Sequence, residues 1–320
     1  MNIQMIEAAA GRLRGHARVT PLLSSPDLDR IAGRRVLVKA ECLQHTGSFK
    51  FRGAWSAVSA LDPETRARGV IAISSGNHAQ GVALAAARHG TGAVIVMPAD
   101  APKLKIDNTR ALGAEVILYD RATEDREAIG ESLAAERGLT LIRPFDDPQV
   151  IAGQGTTGLE IAEQALAAGV KAADVIVCCG GGGLSSGIAL ALEGSALRVR
   201  TAEPAGFDDM ARSLLADERL ANGPASSICD AILTPKPGEL TFPILSRLAG
   251  PGIVVTDDEA LDAVAQAFLR LKIVLEPGGA VALAAALSHA PEIEADTVIC
   301  VASGGNVDPA TFASALARLG

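Results

Sequence analysis

Short runs rich in valine, isoleucine and alanine recur along the whole chain, each followed by a longer amphipathic or alanine-rich stretch. A strand-length segment leading into a helix-length one, repeated in series, leaves few choices. Strands joined by crossover helices lie parallel, and a parallel sheet is covered on both faces, so its strands read as continuous apolar runs. The pattern predicts strands over 36–40, 70–74, 93–97, 116–119, 175–179, 199–202 and 298–302. It predicts helices over 51–61, 77–89, 102–112, 124–136, 153–166, 257–271 and 309–319. The fold class is therefore α/β, and 320 residues, 48% of them hydrophobic, suffice for two domains. In such sheets the C-terminal strand ends meet along one edge, so the loops that leave them are where ligands bind.

A formal charge of -8, with no lysine- or arginine-rich run, argues against a nucleic-acid or anionic-membrane partner and leaves a small molecule as the expected one. The residues from Met1 to Glu7 have no charged segment leading into an apolar core, and no apolar run is long enough to span a bilayer, so export and membrane insertion are not expected. The five cysteines form no CxxC pair, and Cys178-Cys179 falls in a predicted strand. That pattern reads as buried, reduced thiols in a cytoplasmic protein. Residues 222–241, with Pro224, Pro235 and Pro237, lack periodicity and read as an ordered surface excursion that could rim a site.

Four strand-end segments carry chemistry. In Ser48-Phe49-Lys50-Phe51-Arg52-Gly53-Ala54 a lysine stands between two aromatic residues where a strand gives way to a helix. Burial there would disfavour the ammonium and free the amine to attack a carbonyl, whereas an ordinary helix-start lysine would be solvated. Ser74-Ser75-Gly76-Asn77-His78-Ala79-Gln80-Gly81 opens a helix with hydroxyls, an amide and backbone N–H groups, which suits a carboxylate and equally suits plain capping. Gly180-Gly181-Gly182-Gly183, leading into Leu184-Ser185-Ser186-Gly187, removes every Cβ from a strand-to-helix turn. Such a turn lets N–H groups converge on a phosphate, the alternative being a loop kept small for packing. Ser303-Gly304-Gly305-Asn306 ends the last strand, so Ser75, Gly180 and Ser303 are expected to face one crevice. Glu203, at the end of the strand after the glycine loop, also raises an NAD-dependent dehydrogenase, but the spacing G-x-G-x-x-G is missing because Ser185 or Ser186 stands at the third glycine.

These four segments, in this order, closely resemble the pyridoxal-phosphate-dependent serine/threonine dehydratase and serine racemase family. The resemblance covers nearly the whole chain and includes Val150-Ile151-Ala152-Gly153-Gln154-Gly155-Thr156 and Glu276-Pro277-Gly278-Gly279-Ala280. It implies the fold type II architecture, with residues 1–68 and 146–320 as the large domain, residues 69–145 as a small mobile one, and the active site between them. It further implies that Lys50 holds pyridoxal 5'-phosphate as a Schiff base and removes the substrate's α-proton, with Phe49 against the ring and Asn77 bonded to the 3-hydroxyl. Gly180, Gly181, Gly182, Gly183 and Leu184 would bind the phosphate, and Ser303 would face the pyridine nitrogen. A neutral hydroxyl there limits protonation of the ring and favours β-elimination over transamination. Ser74, Ser75, Asn77 and His78 would hold the substrate carboxylate.

Ser75 matches the racemases and hydroxyaspartate dehydratases, in which that hydroxyl serves as acid or base on the opposite face of the α-carbon. Biosynthetic threonine deaminases typically carry alanine there. Glu203-Pro204-Ala205-Gly206-Phe207-Asp208-Asp209 resembles the divalent-metal loop of racemase-like members, implying Glu203, the Phe207 carbonyl and Asp209 as ligands for Mg²⁺, or Ca²⁺ or Mn²⁺. An acidic helix N-terminus is the alternative. Pro144-Phe145-Asp146-Asp147-Pro148 and the residues from Ser226 to Gly238 look more like bacterial dehydratases than racemases.

The expected activity is dehydration and deamination of L-serine or L-threonine to a 2-oxo acid and ammonia. A 3-hydroxyaspartate dehydratase, with Arg126 or Lys236 meeting a second carboxylate, and a serine racemase with side dehydratase activity are the alternatives. A non-catalytic amino-acid-binding protein would keep the glycine loop but has no need of Lys50. Too few residues follow Gly305 for a regulatory domain, so feedback by isoleucine is not expected. A homodimer is expected from the family alone.

Overall fold

The apolar runs become strands of two separate sheets in the computed structural model, which describes residues 1–101 and 103–319. The ten strands among the described residues are β1 (Leu22–Ser24), β2 (Arg35–Lys39), β3 (Val70–Ile73), β4 (Ala93–Pro98), β5 (Glu115–Tyr119), β6 (Thr140–Leu141), β7 (Ala173–Cys178), β8 (Leu197–Pro204), β9 (Ile253–Val255) and β10 (Thr297–Val301). Six of them form a sheet in the order β1-β2-β10-β7-β8-β9, and four form a second in the order β5-β4-β3-β6. All pairings are parallel except the edge pair β1 with β2. The second sheet takes its strands only from residues 70–141.

In the large sheet side chains alternate between two cores. Ile176 and Cys178 of β7 face the apolar helix Pro277–Ser288, while Val175 and Val177 face the layer that contains Ile161 and Ile188. On that second layer the helices Pro148–Ala167 and Gly183–Ala191 cross at backbone distance, since a Cβ on Gly187 would stand 2.5 Å from the Ile151 carbonyl. A third core joins Phe51, Trp55 and Val58 of the helix Lys50–Ala60 to Ala72 of β3, Ile95 of β4 and Val82 of the helix Asn77–Arg88. The helix that begins at Lys50 is thus packed between the helices Pro148–Ala167 and Asn77–Arg88.

A buried ionic cluster fixes the start of that helix. Arg52 donates from Nε and Nη2 to Glu41, each at 2.8 Å, and to Glu160 at 2.7 and 2.9 Å. Lys39 completes the cluster through Glu160 at 2.5 Å. Burial alone would raise Glu41, yet Arg52 and then Lys39 draw its carboxyl below the usual range.

The seven expected strands are present to within two residues. β1, β6 and β9, of three, two and three residues, are too short to show a period. The expected helix over 102–112 begins at a residue outside those described and is seen as Lys103–Ala111. The one expected over 153–166 starts earlier, at Pro148, because Asp147 caps it by accepting the N–H groups of Gln149 and Val150 at 2.7 and 2.9 Å. The one expected over 257–271 is α-helical only from Asp257 to Gln266; a π-helical turn, Ala267–Leu271, follows and stops at Lys272, whose φ is 60°.

Candidate active site

Between the C-terminal edges of the two sheets lies a cavity of about 440 Å³, of the size that takes a small organic ligand. Loops from both sheets line it: Ser74, Ser75, Gly76, Asn77 and His78 after β3, Gly180 to Ser185 after β7, and Phe49 and Lys50 beyond β2. Asp230 to Pro235 also line it, so the unpatterned excursion does form a rim.

Lys50 Nζ donates to the Pro144 carbonyl at 2.8 Å and stands 5.2 Å from the centre of the Phe49 ring. Burial lowers its pKa to about 8, with Glu276 opposing the shift. The uncharged amine that a nucleophile requires is therefore far more accessible near neutrality than in an ordinary lysine.

At the start of the helix Asn77–Arg88 the side chains are already engaged. Asn77 donates through Nδ2 to Glu276 Oε1 at 2.6 Å and accepts from Asn306 Nδ2 at 2.6 Å. His78 Nε2 lies 2.8 Å from the Ile142 carbonyl, so this nitrogen carries the proton and the buried Nδ1 is left as an unpaired acceptor. Burial, and then the neighbouring Lys50, push its pKa down to about 3, so the ring is neutral. Its side chain has no donor left for an anion; the backbone N–H groups of the helix start remain. Burial lifts the Glu276 carboxyl to about 7; the Asn77 amide counters this, and Asp230 adds to it.

The glycine turn is shaped by packing and by hydrogen bonds. A Cβ on Gly181 would overlap the Phe145 ring, and one on Gly182, whose φ is +90°, would stand 2.9 Å from Met210 and Thr241. The Gly181 carbonyl accepts from Thr241 Oγ1 at 2.6 Å and from the Gly238 N–H at 3.3 Å. Carbonyl and N–H of one trans peptide point in opposite directions, so this clamp turns the Gly182 N–H away from Thr241. The N–H groups of the first turn of Gly183–Ala191 have no intrahelical acceptor, and the buried Ser185 hydroxyl beside them has no partner. An anion is what such a turn accommodates.

Of the three strand-end residues expected in one crevice, Ser75 and Gly180 line it and Ser303 does not. Ser303 is buried, with its side chain against the Cys178 thiol, which does line the cavity, and its carbonyl accepts the Phe49 N–H at 3.1 Å. Of the two cations expected near a second carboxylate, Arg126 lines the cavity, whereas Lys236 is exposed and does not. Lys105, Asp230 and Glu276 are lining residues that the sequence reading gave no role. The one available signal was for Glu276, an isolated acid ahead of Pro277 and two glycines.

Glu203, near the end of β8, lies close to Asp209, just beyond that strand. Glu203 accepts the N–H groups of Met210 and Ala211 at 3.0 and 2.7 Å, and burial and the Asp209 charge raise it well above the usual range. Each of its oxygens thus holds the start of the helix Asp209–Ala216, so it does not stand free at the strand end as a ribose-binding acid would. Asp209 Oδ1 accepts from Asn222 at 2.6 Å, and its buried Oδ2 has no partner. Among the described residues no three His, Cys, Asp or Glu side chains gather closely enough to hold a metal by themselves.

A buried lysine amine of lowered pKa and a glycine turn suited to an anion thus share one cavity between the two sheets. Comparison with known proteins names the group. The chain belongs to the pyridoxal-phosphate dependent enzyme family, whose pattern matches residues 13–304. It is 42% identical over 310 residues to an L-threo-3-hydroxyaspartate ammonia-lyase of Pseudomonas sp, covering 96% of each chain. It is 39% identical to a serine racemase of Arabidopsis thaliana, covering 96% of this chain and 93% of that one. A solved threonine deaminase, from T.th., superposes with a TM-score of 0.90 at 44% identity, covering 96% of this chain and 99% of the other. The fold is that of the type II pyridoxal-phosphate enzymes, and the protein is a pyridoxal-phosphate-dependent lyase.

Proposed function

We propose that the enzyme eliminates water and releases ammonia from L-serine or L-threonine, leaving a 2-oxo acid. The observation that carries this reading is the Lys50 amine, lowered to about 8 and placed in one cavity with the glycine turn and the Ser74–His78 loop. The residues fit pyridoxal 5'-phosphate. Lys50 would hold it covalently, Phe49 would lie against its ring, and Gly180, Gly181, Gly182, Gly183 and Leu184 would hold its phosphate. Asn77 would meet its 3-hydroxyl and Ser303 its ring nitrogen. When bound, the cofactor supplies an electron sink for the pair left by a broken Cα–H bond.

The substrate carboxylate would rest on backbone N–H groups at the start of Asn77–Arg88, with the Ser74 and Ser75 hydroxyls beside it, where the helix dipole favours an anion. Lys50 Nζ, more readily deprotonated than an ordinary lysine, would be the base for the α-proton. Ser75 Oγ would exchange a proton on the opposite face, giving some racemisation alongside elimination.

A second reading, 3-hydroxyaspartate as substrate, is favoured by Arg126, a lining cation whose only ion pair among the described residues is an exposed one with Glu127 at 3.4 Å. A second carboxylate would pair with it in charge-assisted hydrogen bonds. The Glu203 and Asp209 carboxylates, with the Phe207 carbonyl, offer hard oxygens for Mg²⁺, Ca²⁺ or Mn²⁺, and the unpartnered Asp209 Oδ2 supports such an ion. The same reading takes residues 69–145 as a mobile small domain over residues 1–68 and 146–320, in a homodimer. Five free, buried cysteines support a cytoplasmic location.

The test is release of 2-oxo acid from L- and D-serine, L-threonine and the 3-hydroxyaspartate isomers, with and without EDTA, and with chiral analysis of residual serine. Turnover of L-serine and L-threonine, reduced by EDTA, is expected. Turnover of 3-hydroxyaspartate alone, abolished by Arg126→Ala, would install the second reading, and no 2-oxo acid from any of them would end both.

A further inference from the structure

Asn77 stands on a helix of the four-stranded sheet's side, yet both groups that grip its side chain come from elsewhere. Glu276 precedes the helix Pro277–Ser288, and Asn306 follows β10 of the six-stranded sheet. Asn306 Nδ2 donates to the Thr46 carbonyl at 2.8 Å and to Asn77 Oδ1 at 2.6 Å; Asn77 Nδ2 in turn donates to Glu276 Oε1 at 2.6 Å. The orientation of both amides follows from their partners. A carbonyl only accepts, so Asn306 must present its NH₂ to Thr46 and to Asn77. Asn77 must then present its oxygen to Asn306 and its NH₂ to Glu276, which leaves one of the two N–H bonds of that NH₂ for a ligand in the cavity that Asn77 lines.

Asn306 also shapes the segment that leads to Lys50. A Cβ on Gly47 would stand 2.6 Å from Asn306 Oδ1, so the segment passes directly over this amide. The Gly305 N–H donates to the Gly47 carbonyl at 2.9 Å and the Phe49 N–H to Ser303 at 3.1 Å, which zips residues 47–49 to residues 303–305. Thr46, bonded to Asn306, takes a φ of 60° that few residues other than glycine adopt.

We infer that Asn306 is a positioning residue for the cofactor: by fixing the amide of Asn77 it aims an N–H donor at the oxygen on carbon 3 of the ring, and by holding Thr46 it sets the approach to Lys50. The inference rests on the reading that pyridoxal phosphate occupies this cavity with its 3-hydroxyl at Asn77. Asn306→Asp changes one NH₂ to an oxygen and little else. Asn77 would then lie between two carboxylates, at residues 276 and 306, and could not donate to both and to the cofactor. The other charged groups around Glu276 are Asp230, Lys105 and Lys50.

The experiment compares wild-type and N306D holoprotein by visible absorbance against pH, and measures the cofactor dissociation constant of each. Wild type must first show a band at roughly 410 nm that borohydride bleaches with modification of Lys50; if it does not, the cofactor reading itself falls. With that band in place, N306D is expected to bind cofactor on the order of tenfold more weakly and to shift the titration midpoint of the band by about one pH unit, the worth of one buried charge-assisted hydrogen bond. A wild-type spectrum, midpoint and dissociation constant in N306D would overturn the inference. So would a lowered unfolding temperature with an unchanged spectrum, which would make Asn306 scaffold alone. If N306D does not fold, N306A, which deletes the amide without adding charge, decides by the same readouts.

Discussion

Replacing Arg52 by methionine would empty the cationic centre of the buried cluster while keeping much of the side-chain volume. Arg52 has four bonds to carboxylate oxygens, two to Glu41 and two to Glu160, and its side chain is 1% exposed. Glu160 would retain Lys39 and is 16% exposed, so its loss is partly compensated. Glu41 is wholly buried and would keep only the Thr20 hydroxyl, at 2.5 Å. Removing one partner of a buried pair costs about 3–5 kcal/mol, because the remaining charge is left uncompensated. The pH dependence gives a second handle. In wild type the depressed Glu41 stabilises the fold above its unfolded pKa, and this contribution is lost as pH falls through the folded value. Without Arg52, burial dominates and raises the folded pKa above the unfolded one. The folded state then takes up a proton, and the penalty shrinks as pH falls. Urea unfolding of the cofactor-free protein at roughly pH 8 and roughly pH 5.5 reads both effects. A loss below about 1 kcal/mol, or the same loss at both pH values, would refute the assignment of Arg52 as the compensating charge.

Gly181→Ala should press a methyl group into the Phe145 ring and weaken cofactor binding by about 1–3 kcal/mol, with partial recovery in the double variant G181A/F145A; fluorescence titration of the cofactor-free protein measures both. Cofactor loading should depend on the neutral amine of Lys50, so its rate should rise with pH and level off above about 8, well short of an ordinary lysine. Stopped-flow absorbance follows it, and a rate still climbing at roughly pH 10 would contradict the lowered value.

The segments on which chemistry depends were legible because each follows a strand. Lys50, Asn77 and the four glycines stand at strand-to-helix turns, and the topology of a parallel sheet brings such turns together. What was not legible depends on partners far apart in sequence. Glu276 and Asn306 meet Asn77 only once the two sheets are placed side by side, and Pro144 offers Lys50 nothing but a carbonyl, which any residue carries. Ser303 does not line the cavity directly as Ser75 does, because the chain turns just after β10 to follow residues 47–49 and sets its side chain against the Cys178 thiol, which does. The helix Pro277–Ser288 showed no amphipathic period because all but its last two residues are buried, and a helix enclosed on every side has no polar face to betray it.

All five cysteines are buried, and where a thiol pKa is displaced it moves upward, to about 12 for Cys42 and for Cys229, with burial the leading cause. Thiolate is the form that oxidants and alkylating agents attack, and this protein offers almost none of it while folded. Reagents that need a thiolate therefore find little of it on the native exterior, and the Cys178 thiol, which lines the cavity, is reached only by way of the site itself.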